Sequence, residues 1–193
     1  MRTRSWVLVG VMLLWSSAAH AAVINYYASL TGPKENPVNA SPGTGFARVT
    51  YDTVAHTLDV NVEFQNLLGP TSASHIHCCV SPPGTAGVAT TTPTFQDFPL
   101  GVTSGSYSRV LDLTLASSWN PAFIAANGGT TASAEAVLAA GLAAGTSYFN
   151  IHTSLPLGFP GGEIRDFLVA PEPATMALLG FGVLAALRRR RKR

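Results

Sequence analysis

Apolar and polar residues alternate without a break between positions 57 and 64 of the chain. The apolar positions of this stretch are Leu58, Val60, Val62 and Phe64. Side chains of a β-strand point alternately to opposite faces, so the pattern predicts a strand with one buried face and one wet face. Such strands are typical of antiparallel sheets. This stretch alone therefore favours a fold with an antiparallel sheet.

Further strand-like runs follow along the chain, separated by turns rich in Gly and Pro. The predicted strands are residues 23–30, 45–51, 57–64, 73–79, 88–95, 106–115, 147–153 and 163–169. A helical turn over residues 121–126 and a helix over residues 133–144, with Ser133 as its candidate cap, come late. About seven or eight antiparallel strands with one short late helix predict an all-β Greek-key β-sandwich or barrel.

Residues 1–21 have the pattern of a secretory signal peptide. Arg2 and Arg4 precede a short apolar run, and the segment ends in Ala19-His20-Ala21. The apolar run is shorter than the ~20 residues that a membrane-spanning helix needs. We therefore predict a signal helix that is cleaved between Ala21 and Ala22.

Residues 170–193 have the pattern of a sorting or anchor tail. The motif Pro171-Glu172-Pro173 precedes an apolar run over residues 174–187. A basic block follows, formed by Arg188, Arg189, Arg190, Arg191, Lys192 and Arg193. Because such a block holds a tail on the cytoplasmic side during export, we predict a hydrophobic helix that lies in the inner membrane before processing.

The charge balance of the central region excludes one class of partner. Between residues 22 and 173 there are four Lys and Arg residues against ten Asp and Glu residues, a net charge of −6. The positive charge of the whole chain therefore belongs to its two ends. A domain without a basic surface is not expected to bind nucleic acid.

Two histidines stand two residues apart in one predicted strand, so His75 and His77 are expected on the same face. His152 lies in another predicted strand, and Glu163 begins the last one. If these four residues converge, they suit zinc or copper, which both accept imidazole ligands. The alternative is a buried polar cluster in which the imidazoles, Asn150 and the Glu163/Arg165 pair satisfy one another. The sequence leaves both interpretations open.

Cys78 and Cys79 are the only two cysteines of the chain. In an oxidising compartment we favour a vicinal disulfide between them. Free thiols, a thiolate ligand beside the histidines and an intermolecular bridge are the alternatives. As neighbours in a strand they are expected to face opposite sides, which argues against both binding one metal ion.

No catalytic motif is apparent. The chain has no Gly-x-Ser-x-Gly elbow, no phosphate-binding loop and no pair of carboxylates at convincing spacing. We therefore predict that no residue is catalytic and that the protein is not an enzyme.

Four motifs in order resemble the CHRD domain, first described in chordin. They are Thr31-Gly32-Pro33-Lys34-Glu35-Asn36-Pro37, Ser74-His75-Ile76-His77, Asn150-Ile151-His152-Thr153 and Gly161-Gly162-Glu163-Ile164-Arg165. Cys78 departs from the family, which commonly has glycine after His-Ile-His. We assign residues 22–169 to this domain, and the resemblance implies a β-sandwich without established catalytic activity.

The tail over residues 170–193 resembles the PEP-CTERM sorting signal of Gram-negative bacteria. The resemblance implies an exosortase-type sorting enzyme as a partner. It also implies export, membrane anchoring during sorting and a final place at the cell surface or outside the cell. Bacteria with this signal typically make exopolysaccharide, so exopolysaccharide or surface proteins are the implied binding partners.

We therefore expect an exported binding or structural module of the cell surface or extracellular matrix, with no established cofactor. The alternative is a mononuclear zinc or copper protein that uses His75, His77 and His152.

Overall fold

The computed structural model describes residues 23–171. The strands are β1 Val23–Thr31, β2 Thr44–Asp52, β3 Thr57–Gln65, β4 Thr71–His77, β5 Gly105–Asp112, β6 Tyr148–Thr153 and β7 Ile164–Phe167. The helices are α1 Pro121–Ala126 and α2 Thr131–Ala143, with 3-10 turns at Gly32–Lys34 and Ala116–Ser118. Within residues 23–171 no helix is long and apolar enough to cross a membrane. The predicted signal peptide with its cleavage site, and the tail from Glu172 onward, lie outside the described residues.

The seven strands form one antiparallel sheet in the order β4-β6-β7-β1-β2-β3-β5, curled into a half-barrel. The all-β class and the number of strands are confirmed. Strand β1 pairs with β2, and β2 pairs with β3, in each case along the whole length of the strands. The chain then crosses from β3 to the opposite edge, where β4 pairs with β6. This crossover brings the middle of the sequence beside its last strands.

The buried face of the sheet carries the apolar positions that alternation predicts. Leu58, Val60, Val62 and Phe64 on β3 are all at most 4% exposed. Helix α2 covers part of this core with Leu138 and Leu142. Its buried Glu135 accepts a hydrogen bond of 2.8 Å from the hydroxyl of Tyr51 and contacts the ring of His56.

Several predicted boundaries differ in the structure: β5 ends at Asp112 and β7 at Phe167, both earlier than predicted, and three further differences have a visible cause. Strand β4 ends at His77 because its partner β6 begins at Tyr148, directly opposite. The predicted strand over residues 88–95 is reduced to isolated bridges of Val88 and Thr90. Helix α2 is capped by Thr130, whose hydroxyl accepts from the backbone N–H of Ser133, the residue expected to be the cap.

Candidate metal centre

The pairing of β4 with β6 brings the three predicted histidines together. His75 lies opposite Asn150, and Ala73 lies opposite His152, so the histidine side chains occupy one face of this strand pair. One ring nitrogen from each of His75, His77 and His152 lies within 4.8 Å of the other two. Sequence parity predicts that His75 and His77 share a face, because residues two apart on a strand do so, and the pairing of β4 with β6 adds His152.

A backbone carbonyl fixes the outer nitrogen of each imidazole. His75 Nε2 lies 2.7 Å from the carbonyl of Pro93, His77 Nδ1 lies 2.9 Å from that of Ala86, and His152 Nδ1 lies 3.0 Å from that of Pro160. A carbonyl oxygen can only accept, so these nitrogens carry the ring protons when the imidazoles are neutral. The other nitrogens are then unprotonated lone-pair donors to a metal ion.

Those inner nitrogens are His75 Nδ1, His77 Nε2 and His152 Nε2. All three are buried and have no hydrogen-bond partner. A metal-ligating histidine generally donates its second ring N–H to a carbonyl, carboxylate or water, which sets the tautomer and the ring orientation. The three residues therefore have the arrangement of a preorganised set of neutral ligands.

Burial keeps the three rings in the neutral form that binds metal. It lowers the pKa of His75 and of His77 to about 4, against 6.5 for an ordinary histidine. The neighbouring rings, and for His77 also the charge of Arg165, lower these pKa values further, while the hydrogen bonds to carbonyls oppose the shift. Burial also lowers the pKa of His152.

A stack of side chains supports the cluster on the side of His77. The ring of Tyr148 lies parallel to the ring of His77 with centroids 4.7 Å apart, and the guanidinium of Arg165 lies 4.7 Å from the Tyr148 centroid. The Tyr148 hydroxyl lies 3.1 Å from both the N–H and the carbonyl of Ala86. The same Ala86 carbonyl orients His77, so Tyr148 positions both the ring and its backbone partner.

Glu163 does not lie with the histidines as expected. Its carboxylate accepts from the hydroxyls of Ser41 and Thr153 and from the backbone N–H groups of Leu68 and Gly69, at 2.5–3.2 Å. These bonds use both oxygens and hold the loop after β3 against the last strands. The carboxylate is therefore a structural anchor in a separate buried site.

The expected pairing of Glu163 with Arg165 is also absent. Arg165 donates to the carbonyls of Lys34 and Pro83 at 2.7 Å and lies 3.6 Å from the carboxylate of Glu35. Because Glu163 precedes β7 while Arg165 lies within it, strand parity does not apply to the two residues as a pair. Glu35 and Asn150 each keep one buried oxygen without a partner.

Cys78 and Cys79 are bonded to each other as a vicinal disulfide. Both sulfurs lie near the carbonyl of Val137 on α2, at 4.0 and 3.7 Å. The expectation that the two side chains face opposite sides is wrong, because β4 ends at His77 and the cysteines lie in the turn that follows. Within residues 23–171 the candidate ligand group contains the three histidines and no sulfur.

Sequence reasoning missed the partners that orient the rings. The carbonyls of Ala86, Pro93 and Pro160 come from three separate loops, and a backbone acceptor has no signature in the sequence.

Sequence reasoning also missed that Gly141 on α2 packs against the disulfide. A Cβ at this position would lie 2.5 Å from Cys78 Sγ. The predicted sorting motif begins at exposed Pro171, the last described residue, just after Val169 pairs with Tyr27.

Comparison with known families matches two parts of the chain. The model of the CHRD domain matches residues 26–168, and the PEP-CTERM protein-sorting motif matches residues 169–192. No curated protein and no solved structure matched. The sorting motif indicates export, membrane-anchored sorting and processing by an exosortase-type enzyme. The chain therefore belongs to the CHRD domain family and carries a PEP-CTERM protein-sorting motif after that domain.

Proposed function

We propose that the CHRD domain of this exported protein is a mononuclear metal-binding module that holds zinc or copper. The ligand atoms are His75 Nδ1, His77 Nε2 and His152 Nε2. One observation carries the proposal: three buried imidazole nitrogens lie within 4.8 Å of one another, and none has a hydrogen-bond partner. Imidazole suits both metals.

The count of ring protons argues against a purely structural polar cluster. Each neutral imidazole has one N–H, and each N–H is already directed at a backbone carbonyl. The three inner nitrogens are all acceptors, so they cannot satisfy one another. Burying an acceptor without a donor costs about 1–3 kcal/mol. A bound cation removes that cost for all three nitrogens at once.

The role that we propose is binding and not catalysis, at the cell surface or outside the cell after sorting. The sorting motif supports the place, since it indicates export and membrane-anchored sorting. Exopolysaccharide or surface proteins are the neighbours that the resemblance to PEP-CTERM proteins implies. In this proposal the metal either stabilises the module or is its cargo.

Metal analysis of the purified full chain tests the proposal. We expect one zinc or copper ion per chain after loading and dialysis, and less than a tenth of that for His77→Ala and His152→Ala. His56→Asn is the matched control, since His56 lies in a turn outside the cluster and Asn tolerates its positive φ of 53°. If the wild type retains neither metal, or if the cluster variants retain as much as the control, the proposal is wrong.

A further inference from the structure

The candidate centre offers a metal ion no negative charge. Its three ligands are neutral imidazoles. The buried carboxylates of the described chain are those of Glu35, Glu135 and Glu163, and each has other partners. Glu35 faces Arg165, Glu135 contacts Tyr51 and His56, and Glu163 accepts four hydrogen bonds. A metal ion would keep its whole formal charge in a largely buried site.

A buried positive charge also lies close to the ligands. Arg165 is 1% exposed, and both its guanidinium and the His77 ring stack on the ring of Tyr148. Since the two stacking distances are 4.7 Å each, the guanidinium lies at most about twice that distance from the centre of the His77 ring.

Both features disfavour a divalent ion more than a monovalent one. The cost of burying an ion grows with the square of its charge. At ~10 Å and an effective dielectric constant of ~20, Arg165 weakens binding on the order of 10-fold in Kd for each unit of metal charge. The carboxylate of Glu35 offsets part of this repulsion.

The number of ligands points the same way. Among residues 23–171 the candidate group contains three ligand atoms and no fourth. Zinc also accepts three histidines, but only with a water molecule that completes its tetrahedral shell, so this buried site would have to hold that water as well. Copper(I) is satisfied by three nitrogen ligands.

We infer that the three-histidine centre takes copper(I) in preference to zinc(II) and other divalent ions. The inference rests on the proposed metal-binding function and names the ion for that same site. It makes the module a carrier of monovalent copper outside the cytoplasm, and it involves no electron transfer by the protein.

Competition with chelators under anaerobic conditions tests the inference on the full chain. Copper(I) is supplied with ascorbate and a chromophoric copper(I) chelator, and zinc(II) with a zinc chelator. We expect a Kd for copper(I) at least about 10-fold below the Kd for zinc(II). A smaller ratio, or tighter binding of zinc(II), overturns the inference and leaves the proposed function intact. Failure to bind either ion overturns the proposed function itself.

A charge-removing variant tests the electrostatic cause. Glu35→Gln leaves Arg165 without its carboxylate, so we expect zinc(II) to lose several-fold more affinity than copper(I). The assay is run at pH 8, because burial raises the pKa of Glu35 to about 7. Glu63→Gln removes an exposed carboxylate on β3 and is the matched control, expected to leave the ratio unchanged. An unchanged ratio in Glu35→Gln would show that the Arg165 charge does not select the ion.

Discussion

Replacing Gly141 with alanine should destabilise the protein, against the usual trend for a helix. In an exposed helix interior this change gains about 1 kcal/mol, because glycine is the poorer helix former. At this position the new Cβ would lie 2.5 Å from Cys78 Sγ, 2.6 Å from Cys79 Sγ and 2.7 Å from Ser147 Oγ. All three distances are too short for van der Waals contact. The buried Ser147 and the bonded cysteine pair leave the methyl group no free space.

Overpacking of a core typically costs about 1–3 kcal/mol. Because all three contacts are below 3.0 Å, the upper part of that range applies here, about 2–3 kcal/mol. After the helix-propensity gain of about 1 kcal/mol, we expect Gly141→Ala to lower the free energy of unfolding by about 1–2 kcal/mol. For a chain of this size that corresponds to a fall of several degrees in Tm. Urea unfolding without reductant measures the difference. Gly87→Ala is the control for the substitution itself, because a Cβ at Gly87 meets nothing within 4 Å.

The contribution of the sulfurs is isolated by repeating Gly141→Ala in a Cys78→Ala, Cys79→Ala background. With both sulfurs removed, most of the loss should disappear, and what remains belongs to the contact with Ser147 Oγ. If Gly141→Ala is as stable as the wild type in the native background, the disulfide does not pack against α2 and the reasoning is refuted.

Three further predictions concern the buried polar groups. Glu163→Gln should lower the free energy of unfolding, measured in urea, by about 2–4 kcal/mol, because the amide replaces one of two oxygens that accept hydrogen bonds with a donor. The metal stoichiometry should not change. Gly162→Ala should cost about 1–3 kcal/mol, since its φ is +132° and its Cβ would lie 2.7 Å from Glu35 Oε1; equal urea midpoints would contradict this. Finally, the free energy of unfolding of the metal-free chain should fall by about 2 kcal/mol, as a net effect, between pH 7 and pH 4.5. The lowered pKa values of His75 and His77, about 4 against 6.5, make the unfolded chain bind more protons as the pH falls through this window. The raised pKa of Glu35, about 7 against 4.5, acts in the opposite direction and offsets part of the loss. A free energy of unfolding that rises toward pH 4.5 would contradict the sign.

Features that follow from the alternation of side chains between the two faces of a strand could be predicted from the sequence. The alternation along β3 depends only on the residues of that strand, and its apolar positions are buried as expected. The meeting of His75 and His77 with His152 could be proposed because strand parity placed the first two on one face. The third histidine, His152, joins them because the crossover after β3 puts β4 beside β6.

Features that depend on where the chain turns could not be predicted. Cys78 and Cys79 were assigned to a strand because nothing in their own sequence shows that β6 begins opposite His77. The prediction that Glu163 joins the histidines depends on the last strands lying beside the middle strand, whereas its hydrogen bonds go to Ser41 and the loop after β3. Backbone N–H groups of a distant loop help to hold Glu163 in place, and such groups have almost no signature in the sequence.

X-ray absorption of the copper-loaded full chain tests the central claim most directly, because it reports the ligands of the bound ion. We expect a first shell of three nitrogens at about 2.0 Å, with the outer-shell scattering of imidazole rings and no sulfur. The signal should be lost in His152→Ala, which removes one of the three ligands. A first shell that contains sulfur, or one without imidazole scattering, would contradict a centre built from His75, His77 and His152.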